Sequence, residues 1–267
     1  MVDDAWLEGF DVSEFFKSNA EFKSWAARHL EHANLDPDVT ENKLKEFLAR
    51  AETEGFSIVR VPPAFLKNAD RIIKANKYRV GTIILVSFPA GDMLSTNQKL
   101  LQLQEGADAG AKEVEFVCNM GFLKGDVGEL KKEVTAAVKA ARAKKMKISI
   151  AFDLDKLSEE EAKAGIETIE SAGPDFLSIS TDLGFYSGED LPEDEEELKL
   201  AKTRDVIRLA GKHVKNKSKL GIKVANGIYD LGEFINGFYM CVKNGWSLEN
   251  IRVSSRSAPH ILESINV

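Results

Sequence analysis

The sequence contains little cysteine, little histidine and no excess of positive charge. Its 267 residues include two cysteines, and 36 basic residues are outnumbered by 43 acidic ones, for a formal net charge of -7. Two cysteines, Cys118 and Cys241, are too few for a disulfide framework, and Cys118 lies in an apolar run typical of a core. An acidic chain lacks the basic face that nonspecific nucleic-acid binding needs. No zinc-ligand spacing is present among His29, His32, His213 and His260. We therefore expect no nucleic-acid partner, no metal and no cofactor.

Long hydrophobic runs are also lacking. The sequence has no stretch of about 18 consecutive apolar residues, the length that a membrane-spanning helix requires. It does not open with the charged, apolar and small segments of a signal peptide. We therefore expect a soluble cytoplasmic protein with no membrane partner. Apolar residues make up 43% of the chain, which suffices for a substantial core.

What the sequence does contain is a regular alternation of short apolar segments and longer helical patterns. The helices are clearest where Thr40 precedes 41–53, where Ser158 and Glu161 form a capping box before 159–172, and over 128–144. Repeated βα units indicate a parallel sheet, and eight strands are the number that closes a TIM barrel. The pattern thus predicts an α/β protein with a (β/α)8 barrel over residues 30–267. The predicted strands are Leu30–Ala33, Ser57–Val61, Val80–Ser87, Glu113–Asn119, Ile148–Asp153, Phe176–Thr181, Leu220–Ala225 and Asn250–Ser254.

Two segments depart from this alternation. Residues 1–29 form a predicted N-terminal helical extension, whose aromatic side chains either cover the barrel as a binding surface or simply join its core. Those aromatic residues are Trp6, Phe10, Phe15, Phe16, Phe22 and Trp25. Seven of the nine residues in 189–197 are acidic. Such a run is typical of a solvated loop or the first turn of a helix.

Four segments resemble the deoxyribose-phosphate aldolase family, class I aldolases that cleave 2-deoxyribose 5-phosphate through a lysine Schiff base on a TIM barrel. Leu30-Glu-His-Ala33 resembles the Asp-His-Thr signature of the first strand, and Val86-Ser-Phe-Pro-Ala-Gly91 resembles a Gly-Phe-Pro-x-Gly turn. Residues 110–123 resemble the family's fourth-strand segment along their whole length. The strands ending at Thr181 and Gly227 resemble the two lysine strands. The resemblance covers residues 30–267 in the family's order.

The resemblance implies which residues take the catalytic positions. The Schiff-base lysine falls on Ser178, which cannot form an iminium, whereas the second lysine is retained as Lys223. The acidic proton relay falls on Glu115, and the first-strand aspartate becomes Glu31; both side chains are one methylene longer than aspartate. Arg60 replaces a small residue near the exit of the second strand. Proton-transfer geometry tolerates such displacements poorly.

The resemblance also implies a phosphate site, here with fewer of its groups. Gly227, Ser254 and Ser255 occupy positions that hold the 5-phosphate. Asn226 replaces a glycine that permits close backbone approach. Asp182 places a negative charge next to the site, where it would repel a phosphate dianion.

Two hypotheses about function follow. In the first, the chain is an aldolase-like protein that is inactive on 2-deoxyribose 5-phosphate and acts by binding a ligand or a protein. In the second, it is a residual or altered class I aldolase that uses Lys223 on a carbonyl or sugar-phosphate substrate. Lys223 also has a purely structural interpretation, as a barrel lysine paired with Glu115. The resemblance further suggests a homodimer.

Overall fold

Eight parallel strands pair in sequential order, and β8 closes on β1 to form a barrel. The computed structural model describes residues 15–181, 193–225 and 228–265, with the backbone alone described for 193–201. The predicted strands are confirmed, with ends that differ by at most three residues. The strands are β1 (Leu30–Ala33), β2 (Ile58–Arg60), β3 (Gly81–Val86), β4 (Glu113–Val117), β5 (Lys147–Ala151), β6 (Phe176–Ser178), β7 (Gly221–Val224) and β8 (Ile251–Ser255).

Helices connect consecutive strands and form the outer layer. The predicted caps are confirmed: the Thr40 hydroxyl accepts from the amide of Lys43, and Ser158 with Glu161 forms the capping box. In the described residues the helices are α1 (Asn19–His29), α2 (Glu41–Glu54), α3 (Leu66–Asn76), α4 (Thr96–Asp108), α5 (Met120–Gly125), α6 (Val127–Ala143), α7 (Glu159–Ala172), α8 (Glu193–His213), α9 (Leu231–Lys243) and α10 (Ala258–Ser264).

The apolar core divides into two unequal parts. Outward-facing strand residues such as Val114, Phe116 and Ile150 pack with the helices in one large cluster. A second, smaller cluster of Ile58, Ile83 and Leu85 lies inside the barrel, on the side of β2 and β3. Because side chains alternate between the two faces of a strand, the remaining inward positions are free to carry polar groups.

The described part of the N-terminal extension is integrated into the core. Phe16, Phe22 and Trp25 are buried, and Trp25 contacts Phe234 and Phe238 of α9, with ring centroids 6.1 Å and 4.7 Å apart. These three aromatic residues are therefore core, as the simpler interpretation held. Trp6 and Phe10 lie outside the described residues.

The acidic run begins outside the described residues and continues into α8, where Glu193–Glu197 form the first turns. This position fits the expectation of a helix start, since carboxylates interact favourably with a helix N-terminus. Among the described residues, no helix combines the length and apolar character needed to cross a membrane.

Candidate functional site inside the barrel

The barrel interior carries buried charged side chains next to the small apolar cluster. Glu31 on β1, Arg60 on β2, Glu115 on β4 and Lys223 on β7 are all less than 4% exposed. Side chains alternate between the two faces of a strand, and these four residues occupy positions that face inward. Burying charges is unfavourable unless they are paired and hydrogen-bonded, so the contacts between these groups determine what they can do.

Arg60 joins two carboxylates on different strands. Its Nε and Nη2 donate to Oε2 of Glu31 at 3.0 Å and 2.7 Å. Its Nη1 and Nη2 donate to Oε1 and Oε2 of Glu115 at 2.8 Å and 2.7 Å. The planar guanidinium suits this two-oxygen geometry, which lysine could not reproduce. Arg60 therefore connects β1, β2 and β4 across the interior.

Lys223 on β7 adds a second positive charge next to Glu31. Its Nζ lies 2.6 Å from Oε1 of Glu31 and 3.8 Å from Oε2 of Glu113, and it lies 5.4 Å from the ring centroid of Phe176. Lys223, Glu31, Arg60 and Glu115 thus alternate in sign. Their formal charges cancel.

The predicted pairing of Lys223 with Glu115 is wrong. Arg60 occupies both oxygens of Glu115, and Lys223 pairs with Glu31 instead. The physical reason is the reach of Arg60, whose long side chain crosses the interior from β2 and engages Glu115 with two hydrogen bonds. The sequence showed Arg60 as a bulky cation but not the direction of its side chain.

Further charged groups lie inside the barrel below these four side chains, toward the N-terminal ends of the strands. Nη2 of Arg252 is 4.0 Å from Oε1 of Glu113, and its guanidinium carbon is 5.7 Å from the ring centroid of Phe176. The sequence interpretation missed Glu113, Phe176 and Arg252 as part of the site. Period-two spacing could have found them, because they stand two residues before Glu115, Ser178 and Ser254.

The environment sets the charge states of these groups. Burial raises the pKa of Glu31, but Lys223, Arg60 and Arg252 outweigh it and hold this pKa at about 2. Burial lowers the pKa of Arg60, and Glu115 and Glu31 reverse the effect and raise it above its ordinary value. Both members of the Glu31–Arg60 pair are therefore ionised at neutral pH.

Ser178 lies on β6 in register with Lys223 on β7, as the resemblance implies for the two lysine positions. Its side chain is fully buried, and its hydroxyl donates to the carbonyl oxygen of Ser180 at 3.3 Å. Beyond the end of this strand, Asp153 accepts from the amide of Thr181 at 2.6 Å and from its hydroxyl at 3.0 Å. Sequence reasoning had placed Asp153 only at the end of a strand.

The predicted phosphate residues are described only in part. The Ser255 hydroxyl donates to the carbonyl oxygen of Ile228 at 2.6 Å and accepts from the amide of Ser257, so it serves the loop itself. Ser254 is buried and in register with Glu31. The other residues predicted for this region, Gly227, Asn226 and Asp182, lie outside the described residues.

The structure offers neither a metal cluster nor a reactive thiol in its described part. No group of three histidine, cysteine or acidic residues there has a geometry that could hold a metal ion. Burial raises the pKa of Cys118 to about 12, which keeps this thiol protonated and unreactive. Burial also lowers the pKa of His32 to about 4, so this imidazole is neutral at physiological pH.

The described structure is a closed (β/α)8 barrel, a TIM-barrel protein, with a buried lysine beside carboxylates, an arrangement that class I aldolases share. Comparisons with known proteins give the family. No protein-family model matches the sequence. The chain is 31% identical over 209 residues to a deoxyribose-phosphate aldolase of Staphylococcus saprophyticus, covering 78% of this chain and 86% of the relative. It is 30% identical over 203 residues to one of Thermococcus gammatolerans, covering 76% and 83%. The chain belongs to the deoxyribose-phosphate aldolase family.

Solved structures agree on the fold. The tetrameric deoxyribose phosphate aldolase from Aeropyrum pernix superimposes with a TM-score of 0.73 at 17% identity, over 99% of this chain and 97% of the other. At this identity the likeness concerns the barrel and does not extend to the chemistry of the site.

Proposed function

We propose that the chain is an aldolase-family barrel that does not form a Schiff base with 2-deoxyribose 5-phosphate and acts by binding a ligand or a protein. The observation that carries this proposal is the ion pair of Lys223 with Glu31 at 2.6 Å inside the barrel. A lysine attacks a carbonyl only as the neutral amine. In this structure the Nζ of Lys223 is instead in ion-pair contact with the ionised Glu31 carboxylate.

Two further features support the proposal. Ser178 stands where the resemblance places the Schiff-base lysine, and a hydroxyl cannot form an imine. Glu115, at the position of the proton relay, already accepts from Arg60 with both oxygens. A general base needs an oxygen within hydrogen-bond reach of the substrate proton. In this arrangement the nucleophile is absent, and both the remaining amine and the relay are engaged.

Reduction with borohydride tests the proposal directly. The protein is incubated with 2-deoxyribose 5-phosphate and sodium borohydride and then weighed by intact-protein mass spectrometry. The relative from Staphylococcus saprophyticus serves as the positive control. We expect the control to gain the mass of the reduced adduct and this chain to remain unmodified. A stoichiometric adduct on this chain would overturn the proposal.

The K223M variant distinguishes the alternative of an altered aldolase. An adduct that forms on the unmodified chain and disappears in K223M would assign the chemistry to Lys223. To test ligand binding, the melting temperature is measured with and without 2-deoxyribose 5-phosphate. A higher melting temperature without an adduct would identify this sugar phosphate as a ligand. An unchanged melting temperature would indicate that the chain binds a different ligand or a protein partner.

A further inference from the structure

The two ends of the barrel carry opposite charge. Because all strands are parallel, the stretches that lead from a helix to the next strand meet at one end of the barrel. We call this end, which comprises residues 55–57, 77–80, 109–112, 144–147, 173–175, 214–220 and 244–250, the basic face. It holds two acidic residues, Asp175 and Glu249, against nine basic ones: Lys77, Arg79, Lys112, Lys144, Lys145, Lys147, Lys215, Lys217 and Lys219.

The opposite end has the reverse balance. We call the described stretches that lead from a strand to the next helix, together with the start of α8, the acidic rim. Five consecutive acidic residues, 193–197, form the first turns of α8. Three cations, Lys124, Lys156 and Arg256, stand in the other stretches against seven aspartates: Asp36, Asp38, Asp92, Asp126, Asp153, Asp155 and Asp230. The net charge of -7 therefore conceals two ends of opposite sign.

The favourable interaction of cations with helix C-termini explains part of the basic face, but it does not explain the backbone of two of its lysines. Lys77 and Lys145 follow α3 and α6 with φ angles of 56° and 57°. This left-handed conformation costs a residue with a side chain about 1–2 kcal/mol, whereas glycine adopts it readily. The other left-handed positions that follow helices at this end are glycines: Gly55, Gly110, Gly173 and Gly245. Lysine is less favourable than glycine for the fold here, which indicates that its charge has a different role.

Several lysines of the basic face have no carboxylate partner. Lys144 pairs with Asp108, and Lys215 pairs with Glu167. Within the described residues, no ion pair involves five further exposed lysines, namely Lys77, Lys112, Lys145, Lys147 and Lys219. The first four of these lie where the chain enters β3, β4 and β5, which are neighbouring strands about 4.8 Å apart. Their charges therefore form one patch that no carboxylate of the described chain neutralises.

We propose that the basic face binds the acidic rim of a second copy of this chain, end to end. The two surfaces lie at opposite ends of one barrel, so each copy presents a different surface to the copy before it and the copy after it. Complementary charged surfaces attract each other at separations up to about the Debye length. A polyanion fits the basic face less well, because the acidic rim and the net charge of -7 repel it. The inference does not depend on the proposed function.

The salt dependence of self-attraction tests the proposal, with the second virial coefficient measured by static light scattering. If the net charge of -7 were spread evenly, copies would repel each other, and added salt would weaken this repulsion. Opposed charged ends give the reverse dependence. We expect a negative coefficient in about 0.05 M sodium chloride, where the Debye length is about 14 Å, and a value closer to zero in about 0.5 M, where it is about 4 Å. A positive coefficient that decreases with added salt would overturn the proposal.

Two triple variants locate the attraction. K112Q/K145Q/K147Q removes three unpaired charges from the basic face. The control K131Q/K139Q/K163Q removes as many charges from exposed lysines on the outer sides of α6 and α7, which also form no ion pair within the described residues. Both variants have the same net charge. We expect the first to lose the negative coefficient at low salt and the control to keep it, and equal changes in the two would contradict the assignment to the basic face.

Mixing two variants tests the end-to-end arrangement. D36N/D92N/D155N removes three exposed carboxylates from the acidic rim. This variant retains the basic face, and K112Q/K145Q/K147Q retains the rim, so each lacks one of the two complementary surfaces. We expect neither variant to attract itself at low salt, whereas an equal mixture should show attraction between the unlike copies. A mixture that behaves as the average of its components would overturn the end-to-end contact.

The outcomes are separate from those of the proposed function, because none of them involves a carbonyl compound. Binding of poly-aspartate by the unmodified chain without self-attraction would assign the basic face to a different acidic partner and overturn the inference. A borohydride adduct on the unmodified chain would overturn the proposed function and leave the light-scattering result unaffected.

Discussion

Lys223 on β7 forms an ion pair with Glu31 on β1, 2.6 Å away, although β8 lies between their strands. The contact crosses the interior because both side chains face inward. It gives the buried ammonium a partner and leaves the second oxygen of Glu31 to Arg60. The retained lysine is therefore engaged in an ion pair inside the barrel.

Removing this lysine should destabilise the fold. In K223M the Glu31 carboxylate keeps Arg60 but loses its nearest cation, and breaking a buried pair typically lowers the free energy of unfolding by roughly 3–5 kcal/mol. Urea denaturation measures the loss. The control is K43M, which removes an exposed pair with Asp38 and should change stability by less than about 1 kcal/mol. Equal effects in the two variants would contradict the buried pairing.

The low pKa of Glu31 predicts a pH dependence of stability. This pKa is about 2 in the folded chain, against an ordinary value of 4.5. A depressed folded pKa stabilises the protein above the ordinary value, and that contribution is lost as the pH falls from about 4.5 toward 2. The shift corresponds to about 3 kcal/mol. Between pH 5 and pH 2, we expect the free energy of unfolding of the unmodified chain to fall by about 3 kcal/mol more than that of E31Q. Parallel curves would contradict the assignment.

Another buried pair connects the helices to the end of β4. Nζ of Lys99 on α4 lies 2.8 Å from Oε1 of Glu133 on α6 and donates to the carbonyl oxygen of Val117, while Oε2 of Glu133 accepts from the amide of Asn119. We expect K99M to lower the free energy of unfolding by roughly 3–5 kcal/mol. Urea denaturation measures this loss. K132M removes the exposed pair with Glu129 on the same helix; a similar loss in this control would contradict the role of burial.

Both cysteines should be unreactive until the chain unfolds. Burial raises the pKa of Cys118 to about 12 and raises the pKa of Cys241 as well, so neither forms thiolate at neutral pH. We expect a disulfide reagent such as 5,5′-dithiobis(2-nitrobenzoate) to titrate no thiol in the native protein and both after denaturation. A thiol that reacts quickly in the native state would contradict the burial of that residue.

Two glycines with positive φ should respond differently to alanine. Gly91 has φ +77°, and a methyl group there would overlap the carbonyl oxygen of Cys118. Gly173 has φ +73° with open space around it. Backbone strain alone should lower the stability of G173A by about 1–2 kcal/mol. G91A adds a clash with backbone and should lose more, as measured by urea denaturation. A smaller loss in G91A would contradict the close approach at this turn.

Local signals predicted most of the fold. The capping box at Ser158 and Glu161 and the cap at Thr40 depend on residues within one helical turn, so the sequence alone contains the information. Strand ends were less accurate. The predicted strand Phe176–Thr181 ends at Ser178 in the structure, and the amide of Thr181, three residues further on, donates to the Asp153 side chain.

The sequence predicted which residues form the site but not which of them contact each other. Glu31, Arg60, Glu115 and Lys223 were all expected at positions of the family's site, and the structure brings them together inside the barrel. Their pairing was assigned incorrectly, since the direction of the Arg60 side chain decides it. Glu113 and Arg252 were missed, although alternation along their strands directs them to the same interior.

The sequence by itself determined the order of strands and helices, the residues that face the barrel interior and the absence of a lysine at position 178. These depend on periodicity, capping and residue identity, which act over a few neighbouring positions. Only the tertiary structure decided which carboxylate each cation holds. Glu31, Arg60, Glu115 and Lys223 come from four strands, and closure of the barrel is what places their charges within hydrogen-bond distance.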